Sequence, residues 1–264
     1  MTFSHLFSDQ KPVVGMVHLL PLPQTPGFSH SIDDIYERAA QDADALHQAG
    51  IDALIVENFG DEPYLIGEPT APQLALMAGV TTLIRQQVNC PVGVNVQFNA
   101  WEAEIALAYA CRADFVRVEV FVDTVLMAQG TVQPCAAQIQ RYRHALGAMH
   151  VQVWADVQTK YTQNIVPQAI SQSAIDAQNA GADALIVTGV GTGQATPLDA
   201  VREVKSSVDL PVLVGSGTNL ETLAETFEVA DGAIVGSALK ADGNAANAVS
   251  VERASAFMQR VRSL

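Results

Sequence analysis

The chain has 264 residues, is 49% hydrophobic and only 16% charged, and carries a formal net charge of −14. It is long enough to bury the core of one large α/β domain, too apolar to be disordered, and too acidic to hold nucleic acid on a general basic patch. Three scattered cysteines, Cys90, Cys111 and Cys135, exclude a disulfide framework or a cysteine zinc site and fit a reducing, cytoplasmic setting.

The first strand is expected at 13–18, in the run KPVVGMVH. Proline is tolerated there because a strand's first residue owes no ladder donor. A helical stretch over 32–49 follows, opened by Ser31 ahead of Ile32-Asp33-Asp34. The run AGIDALIVEN at 49–58 places a strand at 53–58 led by Asp52. Thr70, three residues before Gln73, opens the next helix. CPVGVNVQ at 90–97 is again proline-opened, with its strand at 92–97, and an Ala-rich stretch over 100–111 follows. RADFVRVEV at 112–120 repeats the Asp-led frame on Asp114, with a strand at 115–120. HVQVWADVQ at 150–158 takes the proline-type place without the proline, giving a strand at 151–157 and a helix over 168–180. AGADALIVTG at 180–189 repeats 49–58 closely, with Asp183 and a strand at 184–188. Thr196 before Pro197 opens another helix. LPVLVGSG at 210–217 gives a strand at 212–216, a helix covers 219–229, and VADGAIVGS at 229–237 closes the series on Asp231 with a strand at 233–237.

Proline-opened and Asp-led runs therefore alternate. Eight βα units in a chain of ~250 residues is the arithmetic of a (β/α)₈ TIM barrel. A doubly wound open sheet is the other α/β solution, but it requires neither eight units nor this alternation. No linker or low-complexity stretch divides the chain, so residues 1–264 read as a single domain.

Side chains alternate across a strand. One face of every run is aliphatic, as in Val92/Val94/Val96 or Val116/Val118/Val120, and should pack on the helices. The other face lines the barrel, and its C-terminal positions are where this fold keeps its chemistry. They read Met16 and His18, Glu57, Asn95 and Gln97, Arg117 and Glu119, Trp154 and Asp156, Thr188, Gly215 and Gly217, and Gly236. Arg117 lies deeper than Glu119 and is expected to be neutralised by Glu57, Glu119 or Asp156. Three carboxylates exceed what one arginine neutralises, so Glu57, Glu119 and Asp156 are candidates for acid–base work, with pKa values open to shifting. His18 is a candidate partner acid, although a lone histidine is as readily a satisfied core residue. Asn95 and Lys160 are candidates to polarise a carbonyl, and a desolvated Lys160 could form a Schiff base.

The last strands end in glycine-rich turns. Gly215-Ser216-Gly217-Thr218 and Gly236-Ser237 stand where such barrels commonly bind phosphate, through backbone N–H groups and hydroxyls. Thr188, Gly189, Thr192 and Gly193, after the sixth strand, extend the rim. The bland alternative is that these are only tight turns. No P-loop, dinucleotide fingerprint, zinc-helix motif or nucleophile elbow is present. No cofactor is expected. Glu57, Glu119, Asp156 and His18 are donor types that suit a hard divalent ion, but nothing in their spacing demands one.

The assembled motifs resemble the BtpA family over nearly the whole chain. The resemblance rests on GMVHLLPLP at 15–23 and VENFGDEP at 56–63, then GVNV at 93–96, QG at 129–130, RYR at 141–143, ADV at 155–157, VTG at 187–189, TG at 192–193 and GSG at 215–217. It implies a TIM barrel of the ribulose-phosphate-binding type and no settled reaction: assembly of a photosynthetic complex in one branch, sugar-phosphate metabolism in another. Against the family's pattern, Gln97-Phe98-Asn99-Ala100 stand where Leu-Arg-Asn-Asp is frequent. Glu119 replaces an Asn, Ala128 an Asp and Tyr161 a His.

The leading expectation is an enzyme acting on a small phosphorylated metabolite, a sugar phosphate, by isomerase, epimerase or aldolase chemistry. A non-catalytic assembly or regulatory barrel and a nucleotide or phospho-nucleoside hydrolase are the alternatives. The N-terminal residues carry no signal-peptide pattern, and no apolar run approaches the ~18 residues of a membrane helix, so no membrane insertion is expected. A homo-oligomer is the default assembly.

Overall fold

In the computed structural model, which describes residues 3–8 and 11–264, the two kinds of run become eight parallel strands closed into a barrel. A short helix α1 (Phe3–Phe7) precedes β1 (Val13–His18) and α2 (Ile32–Gln48). Then come β2 (Ala53–Glu57), α3 (Ala71–Gln87), β3 (Val92–Asn95), α4 (Trp101–Cys111) and β4 (Phe115–Val118). Two short strands, β5 (Val125–Met127) and β6 (Gly130–Val132), interrupt the series before α5 (Ala136–Leu146). The chain continues with β7 (Gln152–Val157), β8 (Gln163–Asn164), α6 (Ile170–Asn179), β9 (Ala184–Val187) and α7 (Leu198–Ser207). It closes with β10 (Val212–Val214), α8 (Leu223–Val229), β11 (Gly232–Val235) and α9 (Val251–Arg262). The barrel order is β1-β11-β10-β9-β7-β4-β3-β2. No helix of the described residues is long and apolar enough to cross a membrane.

The alternation of run types has a physical cause. Each leading aspartate sits beside the start of the preceding proline-type strand and accepts its first free amide. Asp52 takes Val13 (2.8 Å), Asp114 takes Val92 (2.9 Å), Asp183 takes Val153 (2.8 Å) and Asp231 takes Val212 (3.0 Å). Each aspartate's own amide donates back to the carbonyl of the same residue, at 2.7 to 3.1 Å. Every second strand joint at the N-terminal end is thus closed at two points, and buried backbone donors are satisfied where the ladder begins.

The aliphatic strand faces pack outward on the helices, and the interior fills in layers. Val14, Ala53, Phe115, Trp154, Ala184 and Ile234 lie toward the bottom, with Met16, Ile55, Ile186 and Leu213 above them. Phe115 stacks on Trp154 with centroids 3.7 Å apart, and Phe3 and Phe7 of α1 cap Trp154 from below. The interior is therefore a packed plug, not a pore.

Four strands end two residues earlier than the pattern suggests, at Asn95, Val118, Val214 and Val235 rather than 97, 120, 216 and 237, and β2 and β9 end one residue early, at Glu57 and Val187. For β3 and β4 the cause is local. Side chains take the amides that would have extended the ladder: Glu104 accepts Val96 N–H (2.7 Å), Asn58 accepts Gln97 N–H (2.7 Å) and Asn99 accepts Val120 N–H (2.9 Å). The helix starts at Ser31 and Thr70 lie as the sequence suggests. At the third, Pro197 itself stands at the cap of α7, and the Thr196 hydroxyl donates to Ser216 O (3.0 Å). The repeat arithmetic does not anticipate the small antiparallel sheet β6-β5-β8, which rises from the loops after β4 and β7. It builds a second apolar cluster of Phe98, Val120, Val125 and Val132 beside the barrel mouth.

Candidate functional site

The C-terminal mouth holds one cleft with a narrow half and a wide half. Glu57, Phe59, Arg117, Lys160 and Thr192 line both.

The wide half is organised by Arg117. Its Nε and one terminal nitrogen each donate to Asp156, both at 3.0 Å, a bidentate pair shut off from solvent. Burial works against the guanidinium charge, but Asp156 more than restores it and holds the arginine fully charged. The Thr159 hydroxyl donates to Asp156 at 2.7 Å. Asp156 is thus committed to its partners, whereas Glu57 has no comparable pair. Burial raises the Glu57 pKa, opposed by Arg117, Lys160 and the Gln97 amide. Lys160 is in no ion pair among the described residues. Burial and the Arg117 charge lower its pKa, while Glu57 and Asp156 raise it. A carboxyl pushed toward its neutral form and an amine pushed toward its own thus line one cleft, and both are group types that move protons.

Glu119 also reaches the wide half. Burial pushes it up to about 7. It is bracketed by Asn95, whose amide donates to Glu119 (2.7 Å), to Glu104 (3.1 Å) and to Arg117 O (2.9 Å). Asn95 is fully buried and lines neither half; its donors are spent on holding two carboxylates together. Glu104, in the first turn of α4, is completely buried, and desolvation and then Glu119 raise its pKa well above the usual carboxylate range. Sequence reading missed Glu104, because an acid in a first helical turn is ordinarily a dipole partner on the surface.

The narrow half is the glycine rim. Gly193, Gly215, Ser216, Gly217, Thr218, Gly236 and Ser237 converge there with His18. Gly217 has φ +75°, and a Cβ on it would lie 2.3 Å from Gln194 O, so only glycine lets the 189–197 loop fold over it. A Cβ on Gly215 would press on Ile186 and Thr188 at 2.5 and 2.9 Å, and would stand 3.4 Å from the Arg117 guanidinium. The Ser216 hydroxyl is engaged: it accepts Gly189 N–H (2.8 Å) and donates to Gln194 O (3.2 Å), knitting the loops together. The Thr218 hydroxyl is buried without a partner. Among the described residues the amides of Gly217, Thr218 and Ser237 take part in no hydrogen bond outside regular elements. Thr192 N–H donates to the Tyr161 hydroxyl at 2.6 Å. Thr188 and Gly189 line a neighbouring groove with Lys160 and Tyr161 instead of this recess, and the Thr188 hydroxyl is buried and unpartnered.

His18 lines the narrow half beside Phe59, which lines both. It stacks on Phe59 with centroids 4.3 Å apart, and its Nδ1 lies 2.9 Å from Ala245 O. Nδ1 therefore carries the proton and Nε2 presents a lone pair. Burial first, and the Lys240 charge second, push its pKa down to about 3, so the ring is neutral. Sequence reading missed Phe59, whose packing partner lies 41 positions away. Asn58 and Asp61 act beneath the site. Asp61 accepts Leu22 N–H (2.7 Å), Asn58 (3.0 Å) and Gln73 (2.9 Å), tying the loops after β1 and β2 to α3. Among the described residues no three His, Cys, Asp or Glu side chains are grouped to hold a metal ion.

A closed barrel of eight parallel strands with helices between them is a TIM barrel. Its solved neighbours are of that architecture. Tryptophan synthase from M. tuberculosis superposes with a TM-score of 0.61 at 17% identity, covering 97% of this chain and 92% of that one. N-(5'-phosphoribosyl)anthranilate isomerase from Pyrococcus furiosus gives 0.59 at 12%, covering 97% and 100%. The chain itself belongs to the BtpA family, whose sequence model matches residues 9–263. An uncharacterised protein of Pyrococcus abyssi is 37% identical over 96% of this chain and 97% of its own length. The photosystem I biogenesis protein BtpA of Synechocystis is 32% identical over 98% and 91%.

Proposed function

We propose that this protein is an enzyme acting on a small phosphorylated metabolite, a sugar phosphate, by proton transfer at the barrel mouth. The observation that carries the reading is the continuity of the two halves: a recess of glycine-rim amides and the unpartnered Thr218 hydroxyl opens directly onto Glu57 and Lys160. Phosphate would sit on the amides of Gly217, Thr218 and Ser237, with Gly193 and Gly236 allowing close approach. A cleft that binds anions through backbone dipoles needs no net positive charge. Glu57 would take or give the proton, Lys160 would polarise the carbonyl, and neutral His18 would accept from a substrate hydroxyl through Nε2. Arg117 and Asp156 hold the floor of the site. Isomerisation, epimerisation and retro-aldol cleavage all use this set. Solved neighbours named for phosphoribosyl and thiamine phosphate chemistry support the reading at the level of fold.

The test is a thermal-shift panel of sugar phosphates on the wild type and on Ser237→Asp. A ligand at 100 times its Kd stabilises by ~2.7 kcal/mol, a shift of several degrees for a chain of this size. The wild type should respond to at least one sugar phosphate, and S237D should not. Ser237 is the better probe than Ser216, whose hydroxyl already bridges two loops. Silence of the wild type toward every sugar phosphate and inorganic phosphate sinks the proposal. The kinship with a photosystem I biogenesis protein supports a second reading, a non-catalytic assembly barrel. On that reading a folded Glu57→Gln variant retains full biological activity.

A further inference from the structure

The wide half of the mouth is larger than a proton-transfer site for a simple sugar phosphate requires. Its cavity of about 590 Å³ falls within the roughly 300–1,000 Å³ that accommodates drug-sized ligands. Its outer wall is aromatic: Phe59, Tyr64 and Phe98 line it, with Met127 and Pro63 beside them. The Tyr64 hydroxyl is already spent on Phe59 O (2.7 Å). Phe98 is held in the apolar cluster under the small antiparallel sheet, with Tyr64 and Met127 packed against it. This wall offers ring faces and a thioether, which are poor partners for sugar hydroxyls: burying a hydroxyl without a hydrogen bond is costly. They are good partners for a planar ring, which stacks at little entropic cost. Polar groups share the lining, and Gln97 and Glu119, just past the ends of β3 and β4, face the cavity among them. A carboxylate and a primary amide in that position suit the N–H and carbonyl edge of a nitrogen-bearing ring.

We propose that the wide half is a ring-binding chamber, and that the substrate is a phosphorylated sugar carrying a planar nitrogen-bearing ring. The inference rests on the reading of the narrow half as the phosphate site and adds what the other end of the substrate is. It also gives the small antiparallel sheet a task, that of supporting the chamber's outer wall.

The experiment measures binding by calorimetry for inorganic phosphate, ribose 5-phosphate, purine and pyrimidine nucleoside 5′-monophosphates and nicotinamide mononucleotide. The proteins are the full-length wild type and Ala128→Trp. Ala128 is exposed on the chamber wall and outside the proton-transfer set, so the indole fills the chamber without disturbing the core. At least one ring-bearing member should bind about 10-fold or more tighter than ribose 5-phosphate, the scale of one ring stacked on aromatic side chains. A128W should abolish that difference and leave ribose 5-phosphate unchanged. If ribose 5-phosphate binds and no ring-bearing member binds tighter, the chamber is overturned and the phosphate site stands. Tight binding that A128W leaves untouched overturns it equally. Silence toward every member, phosphate included, removes the phosphate site and the chamber together.

Discussion

The two ends of the barrel use acids in opposite ways. At the N-terminal end, Asp52, Asp114, Asp183 and Asp231 each accept a strand's first amide. Three of them also meet a cation, Arg85, Arg143 or Lys205. At the C-terminal mouth, Glu57, Glu104 and Glu119 are buried with too few donors, and all three are pushed toward their protonated forms. One end spends its carboxylates on closing the barrel. The other holds them short of partners, a standing cost that makes sense where a ligand or a moving proton supplies what is missing. The contrast teaches where mutation should cost stability and where it should cost chemistry.

The largest effect is expected at the mouth. Glu57→Gln keeps the shape and removes the proton acceptor, so turnover of the phosphorylated substrate should fall by about 10²–10⁴-fold. The melting temperature should hold or rise, because a poorly solvated acid is gone. Steady-state kinetics with a melting curve reads both, and a loss of stability would erase the contrast. Second is the packed interior between the ends. Trp154→Ala removes the ring that Phe115, Phe3 and Phe7 cover and should cost about 3–5 kcal/mol in denaturant unfolding. Third, Asp183→Ala at the bottom frees the Val153 amide and takes away the ion-pair partner of Arg143. It should cost about 1–3 kcal/mol, with ligand affinity unchanged; an equal loss of affinity would mean the two ends are coupled.

The smallest effect is a pH signature. The folded Glu119 titrates at about 7 against 4.5 for the free side chain. The native state therefore binds more protons than the unfolded chain between those values, and this stabilising contribution is lost as pH rises from about 4.5 through 7. His18 acts with the opposite sign. Its folded value is about 3 against 6.5, so its contribution is present above 6.5 and lost as pH falls through that window toward 3. Glu119→Gln should flatten the loss of melting temperature on the alkaline side, and His18→Gln the loss on the acid side. A variant that leaves its own limb unchanged would show that its residue is not the titrating group.

Much of this was legible in the chain itself. Eight strands, their order, and the outward aliphatic faces follow from period-two alternation and from the recurring Pro and Asp positions, since both are local properties of short runs. The identity of the inward mouth residues follows from the same parity, which is why His18, Glu57, Glu119 and Asp156 could be named together. Parity did not tell which of them are free. Asn95 and Glu119 share a face pattern with Glu57, yet Asn95 is walled in between two carboxylates while Glu57 lines the open cleft. Asp156 is paired with Arg117 and Lys160 with nothing among the described residues, and no spacing distinguishes them.

What the sequence determined alone is therefore the barrel and the short set of polar groups aimed into its mouth, because strand periodicity and strand-start chemistry act between near neighbours. What only the tertiary structure decided is which acids stay unpaired, which histidine nitrogen faces the cleft, and that the loops after β2, β3, β4 and β7 meet to wall a chamber. Those outcomes depend on groups 20 to more than 200 positions apart, such as the Ala245 carbonyl on His18 and Asn95 on Glu119, and closing the barrel is the step that brings them within reach.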